Sequence, residues 1–361
     1  MSKLNILLIL TGGTICSFEN SDGERGSDVE RAQYLIVEKF KESGSDCAER
    51  VDFDIRRPID TLSENISVSH WNTLISELKS VDFARYDGVI ILHGTDTLAY
   101  TSSLLAVLLD GIKIPVFLVS SQLPIYMAGA NGVDNFKAAV ELTARGIAPN
   151  VYVVYKNLAE RAGERGGLYL HMGSQLRQCA EGSNNFYSEG MTELDADTPR
   201  TRGVSCAERE MPLYTSPELL DRVLFITPYA AINYSHFSLR GVRAVLHGVY
   251  HSQTLSAAGS SRDRASVLSL LRRCGERKEP IPLFIAPCDE NSYDYESTGE
   301  ALRAGALALC GMTTEMAYIK LLIGCSAGLS GGELCSYVNG ISCKNKEGAV
   351  ALSAEQKPPE R

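Results

Sequence analysis

Short apolar runs alternate with segments whose apolar residues recur at helical spacing, and this rhythm constrains the fold more than any other feature of the chain. Ile6–Leu10, Val51–Ile55, Val89–Leu92, Val116–Val119 and Val151–Val154 have the length and β-branched content of buried strands. Between them Trp71–Leu78, Tyr100–Leu109 and Phe136–Ala144 carry the helical pattern. Strands that alternate with helices need crossover connections, so the expected class is α/β, with a mostly parallel sheet flanked by helices.

The rhythm breaks over residues 190 to about 220, which are rich in Glu, Asp, Thr and Arg and contain Pro199, Pro212 and Pro217. It restarts with strands expected at Val223–Ile226, Ala244–Leu246 and Leu283–Ala286, and helices expected at Arg262–Arg273, Gly299–Leu309 and Thr313–Ile323. A length of 361 residues exceeds what one hydrophobic core usually organises. Two α/β domains are therefore expected: a larger one over residues 1–190, a linker over 191–220, and a smaller parallel-sheet domain over 221–345. The charged tail, 346–361, ends in Pro358-Pro359-Glu360-Arg361 and is expected to be disordered.

Charge and cysteine usage exclude several classes. The 35 Lys and Arg are scattered through a chain of net charge −9, which argues against nucleic-acid binding, because neutralising phosphates needs clustered positive charge. Ten cysteines at irregular spacing, with no C-x-x-C pair and no Cys/His cluster, suggest reduced thiols in a cytoplasmic protein and no metal site. The apolar run before Thr11 is too short for a secretion signal, and no run approaches the ~18 apolar residues of a membrane span.

In an open parallel sheet, ligands bind beyond the C-terminal ends of the strands. Four loops there are chemically unusual: Thr11-Gly12-Gly13-Thr14, Ser63-Glu64-Asn65, His93-Gly94-Thr95-Asp96-Thr97 and Ser120-Ser121-Gln122. Paired glycines let backbone approach a ligand and aim N–H groups at a carboxylate or oxyanion. A tight turn would explain the first loop alone, and capping of the following helix by Asp96 or Thr97 would explain much of the third. Neither explains why hydroxyl-rich segments end neighbouring strands. Neither G-x-G-x-x-G nor G-x-x-x-x-G-K-[ST] is present, so these loops are not a phosphate cradle.

Thr11–Ile15 and His93–Thr97, about eighty residues apart, resemble the two signature segments of the bacterial-type L-asparaginases. The similarity continues through Trp71, Gly132 and Asn135 to Thr298-Gly299 and Thr313–Leu321, covering most of residues 4–325. The resemblance implies hydrolysis of L-asparagine, with some action on L-glutamine, by a cytoplasmic homodimer or homotetramer that needs no cofactor. It makes Thr14 the nucleophile, Thr95 a support for proton transfer, and Asp96 both a proton-transfer partner and the group holding the substrate α-ammonium. Ser63, eight residues before Trp71, matches the serine that receives the α-carboxylate. Glu64 falls beside it in contact with substrate, Gly13 and Gly94 lie in the two signature turns, and Ser121 and Gln122 line the amide end of the pocket.

Two positions depart from the family. Its loop tyrosine, which helps to activate the nucleophile, is replaced on a gapless count by Glu24, ten residues after Thr14. A buried carboxylate can act as a base with Arg25 beside it, while an ordinary solvated loop charge is the alternative. The lysine that pairs with Thr95 and Asp96 maps to Arg177, which supplies charge but does not readily release a proton. The family's glycine-rich turn in the second domain is replaced by Tyr250–Thr254. None of the histidines has a metal-ligand or triad spacing; His93 is the one expected near the pocket. Two other functions stay open: a non-enzymatic asparagine sensor, and an amidase subunit of a transamidation complex. The latter is expected to carry an extra domain before its TGGT segment.

Overall fold

The computed structural model describes residues 3–160, 166–194, 211–289 and 295–340. The chain begins with strand β1 (Leu4–Leu10), a hairpin of β2 (Ser17–Glu19) and β3 (Arg25–Ser27), and helix α1 (Val29–Glu42). Strand and helix then alternate: β4 (Val51–Arg56), α2 (Val68–Lys79), β5 (Gly88–Leu92), α3 (Leu98–Leu108), β6 (Val116–Val119), α4 (Gly132–Ala144) and β7 (Val151–Asn157). Four strands follow, β8 (Gly167–Met172), β9 (Leu176–Arg177), β10 (Tyr187–Ser188) and β11 (Thr192–Glu193), and then the single turn α5 (Pro212–Thr215). The second unit runs β12 (Val223–Ile226), β13 (Ala244–His247), α6 (Val267–Gly275), β14 (Leu283–Cys288), α7 (Glu296–Arg303), β15 (Leu307–Cys310), α8 (Thr314–Ser326) and α9 (Gly331–Gly340).

The large sheet has the order β11-β8-β7-β6-β5-β1-β4, in which β4, β1, β5, β6 and β7 are parallel and β8 is antiparallel to β7. Its central strands are buried on both faces, as a parallel sheet covered by crossover helices must be. Ile6, Leu8 and Leu10 join the core beneath α1 and α4, whereas Leu7 and Ile9 join the core that holds α2 and α3. That second core also takes in Phe284, Ala286 and the inner side of α8, so the four-stranded parallel sheet β12-β13-β14-β15 packs onto the α2/α3 side of the first unit. Its far face has a core of its own, with α6 and Ala301 of α7.

Local chemistry sets the helix starts. Asp28 accepts the Arg31 N–H at 2.9 Å, and Thr313 accepts the Met316 N–H at 3.1 Å, satisfying donors that the first helical turn leaves unpaired. Three expectations are corrected here. The helix expected over Gly299–Leu309 ends at Arg303, with Gly305 at φ +105°, and Leu307–Cys310 is instead the edge strand β15. The helix expected from Arg262 starts at Val267, because Ser266 caps it. The linker expected over 191–220 includes β11, which pairs with β8; its residues 195–210 and the tail 346–361 lie outside the described residues.

Candidate functional site

The parallel strands deliver their loops to one end of the sheet. Thr11 continues the ladder beyond β1, donating both its N–H and its Oγ1 to the Leu92 carbonyl, at 3.1 and 2.9 Å. Gly12 and Gly13 then turn with φ of +99° and +79°, and the Gly13 N–H donates to Thr61 O at 2.8 Å. A Cβ on Gly13 would stand 2.2 Å from the Gly94 Cα, and one on Gly94 would stand 2.3 Å from the Ser63 Oγ. Three loops that are distant in sequence therefore touch, Gly13 against the Gly94 backbone and Gly94 against the Ser63 side chain; glycine is required by contact at both positions and by φ at Gly13 as well. Gly94→Ala is expected to force these loops apart, costing roughly 1–3 kcal/mol of stability and most of the activity. Denaturant midpoint and turnover, measured on the same preparation, check it.

Ser63 is the hinge of the arrangement. Its hydroxyl, 2% exposed, donates to Asp96 Oδ2 at 2.8 Å and accepts the Asp96 N–H at 3.2 Å, while its carbonyl accepts the Thr97 hydroxyl at 3.0 Å. Helix capping does not account for this loop: Thr97 stands at the N-cap of α3, yet no side-chain cap bond forms there. The hydroxyl and carboxylate that would have capped α3 reach across to Ser63 instead. Asp96 and Glu64 are exposed, and Thr14 and Thr95 are half-buried. Thr14 opens the short turn Thr14–Cys16, whose Thr14 carbonyl accepts the Ser17 hydroxyl at 3.0 Å. Cys16, two residues on, is a poor competing nucleophile, because burial pushes its thiol far above the usual range.

The fourth loop is pinned from α4. Asn131 Oδ1 accepts the Gln122 N–H at 3.0 Å, and Asn135 Nδ2 donates to Ser120 O at 2.9 Å. The Ser121 hydroxyl donates to Leu123 O at 2.6 Å and accepts the Gly132 N–H at 3.0 Å, so it is committed to the start of α4. Gln122 is half-exposed.

The two family departures are both exposed. Glu24 is an exposed turn residue of the β2/β3 hairpin, with its N–H on Asn20 Oδ1 at 2.9 Å and its carbonyl accepting the Asn20 N–H at 2.8 Å. The Arg25 guanidinium beside it lies 3.5 Å from the Met127 sulfur. Arg177 is exposed on β9, paired with Tyr187. Its neighbour Gln178 is the residue that meets the Thr95 loop. Gln178 Nε2 donates to Thr95 O at 2.7 Å, its Oε1 accepts the Ala99 N–H at 3.3 Å, and its own N–H donates to Glu315 Oε1 at 2.8 Å. Glu315 belongs to the first turn of α8, so the second unit reaches the Thr95 loop through Gln178. His93 lies under the same loop at 1% exposure, with Nδ1 on Gly94 O at 2.8 Å. Burial pulls its pKa down to about 4, against smaller opposing effects from the Gly94 carbonyl and Asp96.

Among the described residues no group of His, Cys, Asp and Glu is placed to hold a metal ion, the cysteines form no disulfide, and no helix is long and apolar enough to cross a membrane. Residues 5–189 match the family model described as asparaginase, N-terminal. The chain belongs to the asparaginase family. It is 28% identical over 321 residues to an L-asparaginase of Thermococcus kodakarensis, spanning 88% of this chain and 92% of that one. It is 30% identical over 322 residues to a glutamyl-tRNA(Gln) amidotransferase component of Thermoplasma acidophilum, spanning 88% of this chain and 74% of that one. The solved structure of a thermostable T. kodakarensis L-asparaginase superposes with a TM-score of 0.70 at 22% identity, covering 95% of this chain and 98% of that one, which is a likeness of fold. As a member of the asparaginase family the protein is an amidohydrolase.

Proposed function

We propose that the protein is an L-asparaginase, hydrolysing L-asparagine to L-aspartate and ammonia with Thr14 as nucleophile. The observation that carries this reading is the Ser63–Asp96 pair set against the Gly13–Gly94 contact. It joins a hydroxyl and an exposed carboxylate, suited to the α-carboxylate and α-ammonium of an amino acid, to the turn that bears a threonine. Asp96 takes the ammonium in a charge-assisted bond, which frees the Ser63 hydroxyl to donate to the α-carboxylate. The side-chain amide then points at Thr14. Its Oγ attacks the carbonyl carbon, the C–N bond breaks, the amide nitrogen leaves as ammonia with the proton the threonine gave up, and water opens the aspartyl ester and restores the hydroxyl. A proton path through Thr95 and Asp96 follows by analogy with the family, with the Gln178 amide fixing the Thr95 carbonyl rather than exchanging protons.

That assignment separates Arg177 from Gln178. Gln178→Ala is expected to lower kcat by about 10-fold or more, because it leaves the Thr95 carbonyl and the Ala99 N–H without their partner. Arg177→Ala is expected to stay within a few-fold of wild type. Steady-state kinetics of the two variants check the pair, and the reverse order would restore Arg177 as the lysine substitute.

The amidotransferase relatives favour a second reading, in which the same chemistry feeds ammonia to a partner that binds tRNA. Release of free ammonia from L-asparagine and L-glutamine by the purified full chain distinguishes them. Turnover of asparagine by the chain alone supports the asparaginase. Turnover that appears only when a partner is added supports the amidotransferase reading, and binding without turnover supports a sensor. The asparaginase reading carries with it a cytoplasmic homodimer or homotetramer, and light scattering on the same preparation tests the oligomeric state.

A further inference from the structure

Among the described residues five buried side-chain atoms have no protein hydrogen-bond partner: His93 Nε2, Ser103 Oγ, Ser120 Oγ, Tyr155 Oη and His171 Nε2. Buried polar groups are paired in roughly 90% of cases or more, so a concentration of exceptions needs one common cause. Three of these lie in a single row. In β5, β6 and β7 the register joins Leu92 to Val119 and Val119 to Val154, and the next residue on each strand is His93, Ser120 and Tyr155. The ladder extends at least to the first of them, since the His93 N–H donates to Val119 O at 2.9 Å. Leu92, Val119 and Val154 belong to the α1/α4 core, so alternation turns the following residues to the opposite face, where Tyr155 is packed. Helix α3, on that same face, brings Ser103, and His171 pairs with Val153, which faces the same core.

The row lies directly before Gly94 on one strand and Ser121 on another, and is therefore the floor of the proposed site. The second sheet shows how such a histidine is satisfied. His247 ends β13 as His93 follows β5, each preceding a glycine, and each Nδ1 meets the next carbonyl: 2.5 Å to Gly248 O and 2.8 Å to Gly94 O. In the second sheet the Tyr234 hydroxyl bonds His247 Nε2 directly, at 2.8 Å. In the first sheet the tyrosine stands two strands away, about 10 Å across the ladder, with Ser120 between.

We propose that an internal water held by His93 Nε2, Ser120 Oγ and Tyr155 Oη joins this row into one network, and that His93 acts through it as a positioning residue for the Gly94–Thr97 loop. With Nδ1–H donating to Gly94 O, Nε2 accepts only, so the water donates one proton to it. Its second proton goes to one hydroxyl, and the other hydroxyl donates to the water oxygen. The water then makes three bonds, the usual number for a buried water. Burial keeps the imidazole neutral at neutral pH, as this pattern requires, and pushes the Tyr155 phenol up, with the nearby Asn131 amide only partly offsetting it. The water locks the ring, and the ring holds the Gly94 carbonyl where the glycine contact needs it.

The hydration half of the proposal is independent of the asparaginase reading, and the positioning half rests on it. Tyr155→Phe and Ser120→Ala in the full chain test the first half by thermal unfolding. In a hydrated row each variant removes a ligand of the water and lowers Tm by about 1–3 °C. In a dry row each deletes an unpaired buried hydroxyl and leaves Tm unchanged or raises it, which would overturn the proposal. The second half is read from kinetics. His93→Asn keeps an amide N–H near the Nδ1 position, whereas His93→Gln moves it away. The expected result is a kcat loss of about 10-fold or more in His93→Gln and a clearly smaller loss in His93→Asn. Equal losses would remove His93 as a positioning residue, and if neither variant folds, the Tm signs of Tyr155→Phe and Ser120→Ala still decide the network.

Discussion

Thr14→Ala is expected to abolish amide hydrolysis, by about 10³-fold or more in kcat, while asparagine binding changes by no more than a few-fold. The asymmetry follows from the division of labour proposed for the site. Binding energy is assigned to Asp96 and Ser63, whose mutual hydrogen bonds do not involve the Thr14 side chain. Bond making is assigned to the Thr14 hydroxyl alone, since the Cys16 thiol is buried and held protonated. The fold should tolerate the change, because Thr14 is half-buried at the start of a short turn and its carbonyl, which alanine retains, makes the Ser17 contact. Calorimetry with asparagine and an ammonia assay check the two halves together. Turnover within tenfold of wild type would place the nucleophile elsewhere.

The second large effect is acid lability. His93, His171 and His247 are each almost fully buried, and burial pulls each pKa down to about 4. In the unfolded chain these groups titrate near 6.5. Between those two values the unfolded state takes up protons that the folded state refuses, so stability is complete above about pH 6.5 and falls as pH drops towards about 4. Each residue contributes on the order of 3 kcal/mol over that span, and the three together are comparable with the ~5–15 kcal/mol of a typical domain. Tm measured from pH 7.5 to pH 4.5 should fall steadily, beginning near pH 6.5, before most carboxylates titrate. A flat profile down to pH 5 would mean that these histidines take up protons without disrupting the fold.

How far the sequence reveals this protein differs from element to element. The central parallel strands are legible because both faces are buried and each reads as an unbroken apolar run. β15 is not, because Leu307–Cys310 continues the apolar spacing of the preceding helix and only the left-handed Gly305 marks the break. β8 is antiparallel and only partly buried, so it lacks the apolar run that marks its neighbours.

In the site, the four loops are visible from their hydroxyls and glycines. That Gly13, Gly94 and Ser63 meet is a contact across three strands, which no local pattern encodes. Gln178 escapes a sequence reading for the same reason. Its partners are 83 and 137 residues away, and an amide side chain carries no signature. The family lysine maps to Arg177, but alternation along β9 buries Leu176 and turns Arg177 outwards. The His93–Ser120–Tyr155 row is invisible until the register of β5, β6 and β7 aligns it.

Acid quench of the wild-type protein during turnover of L-asparagine, followed by proteolysis and mass spectrometry, tests the central claim most directly. The expected result is an aspartyl adduct on the peptide that contains Thr14, lost on further incubation as water opens the ester and absent from Thr14→Ala. An adduct on another residue, or ammonia release with no adduct on Thr14 under conditions that slow deacylation, would contradict a threonine nucleophile at this position.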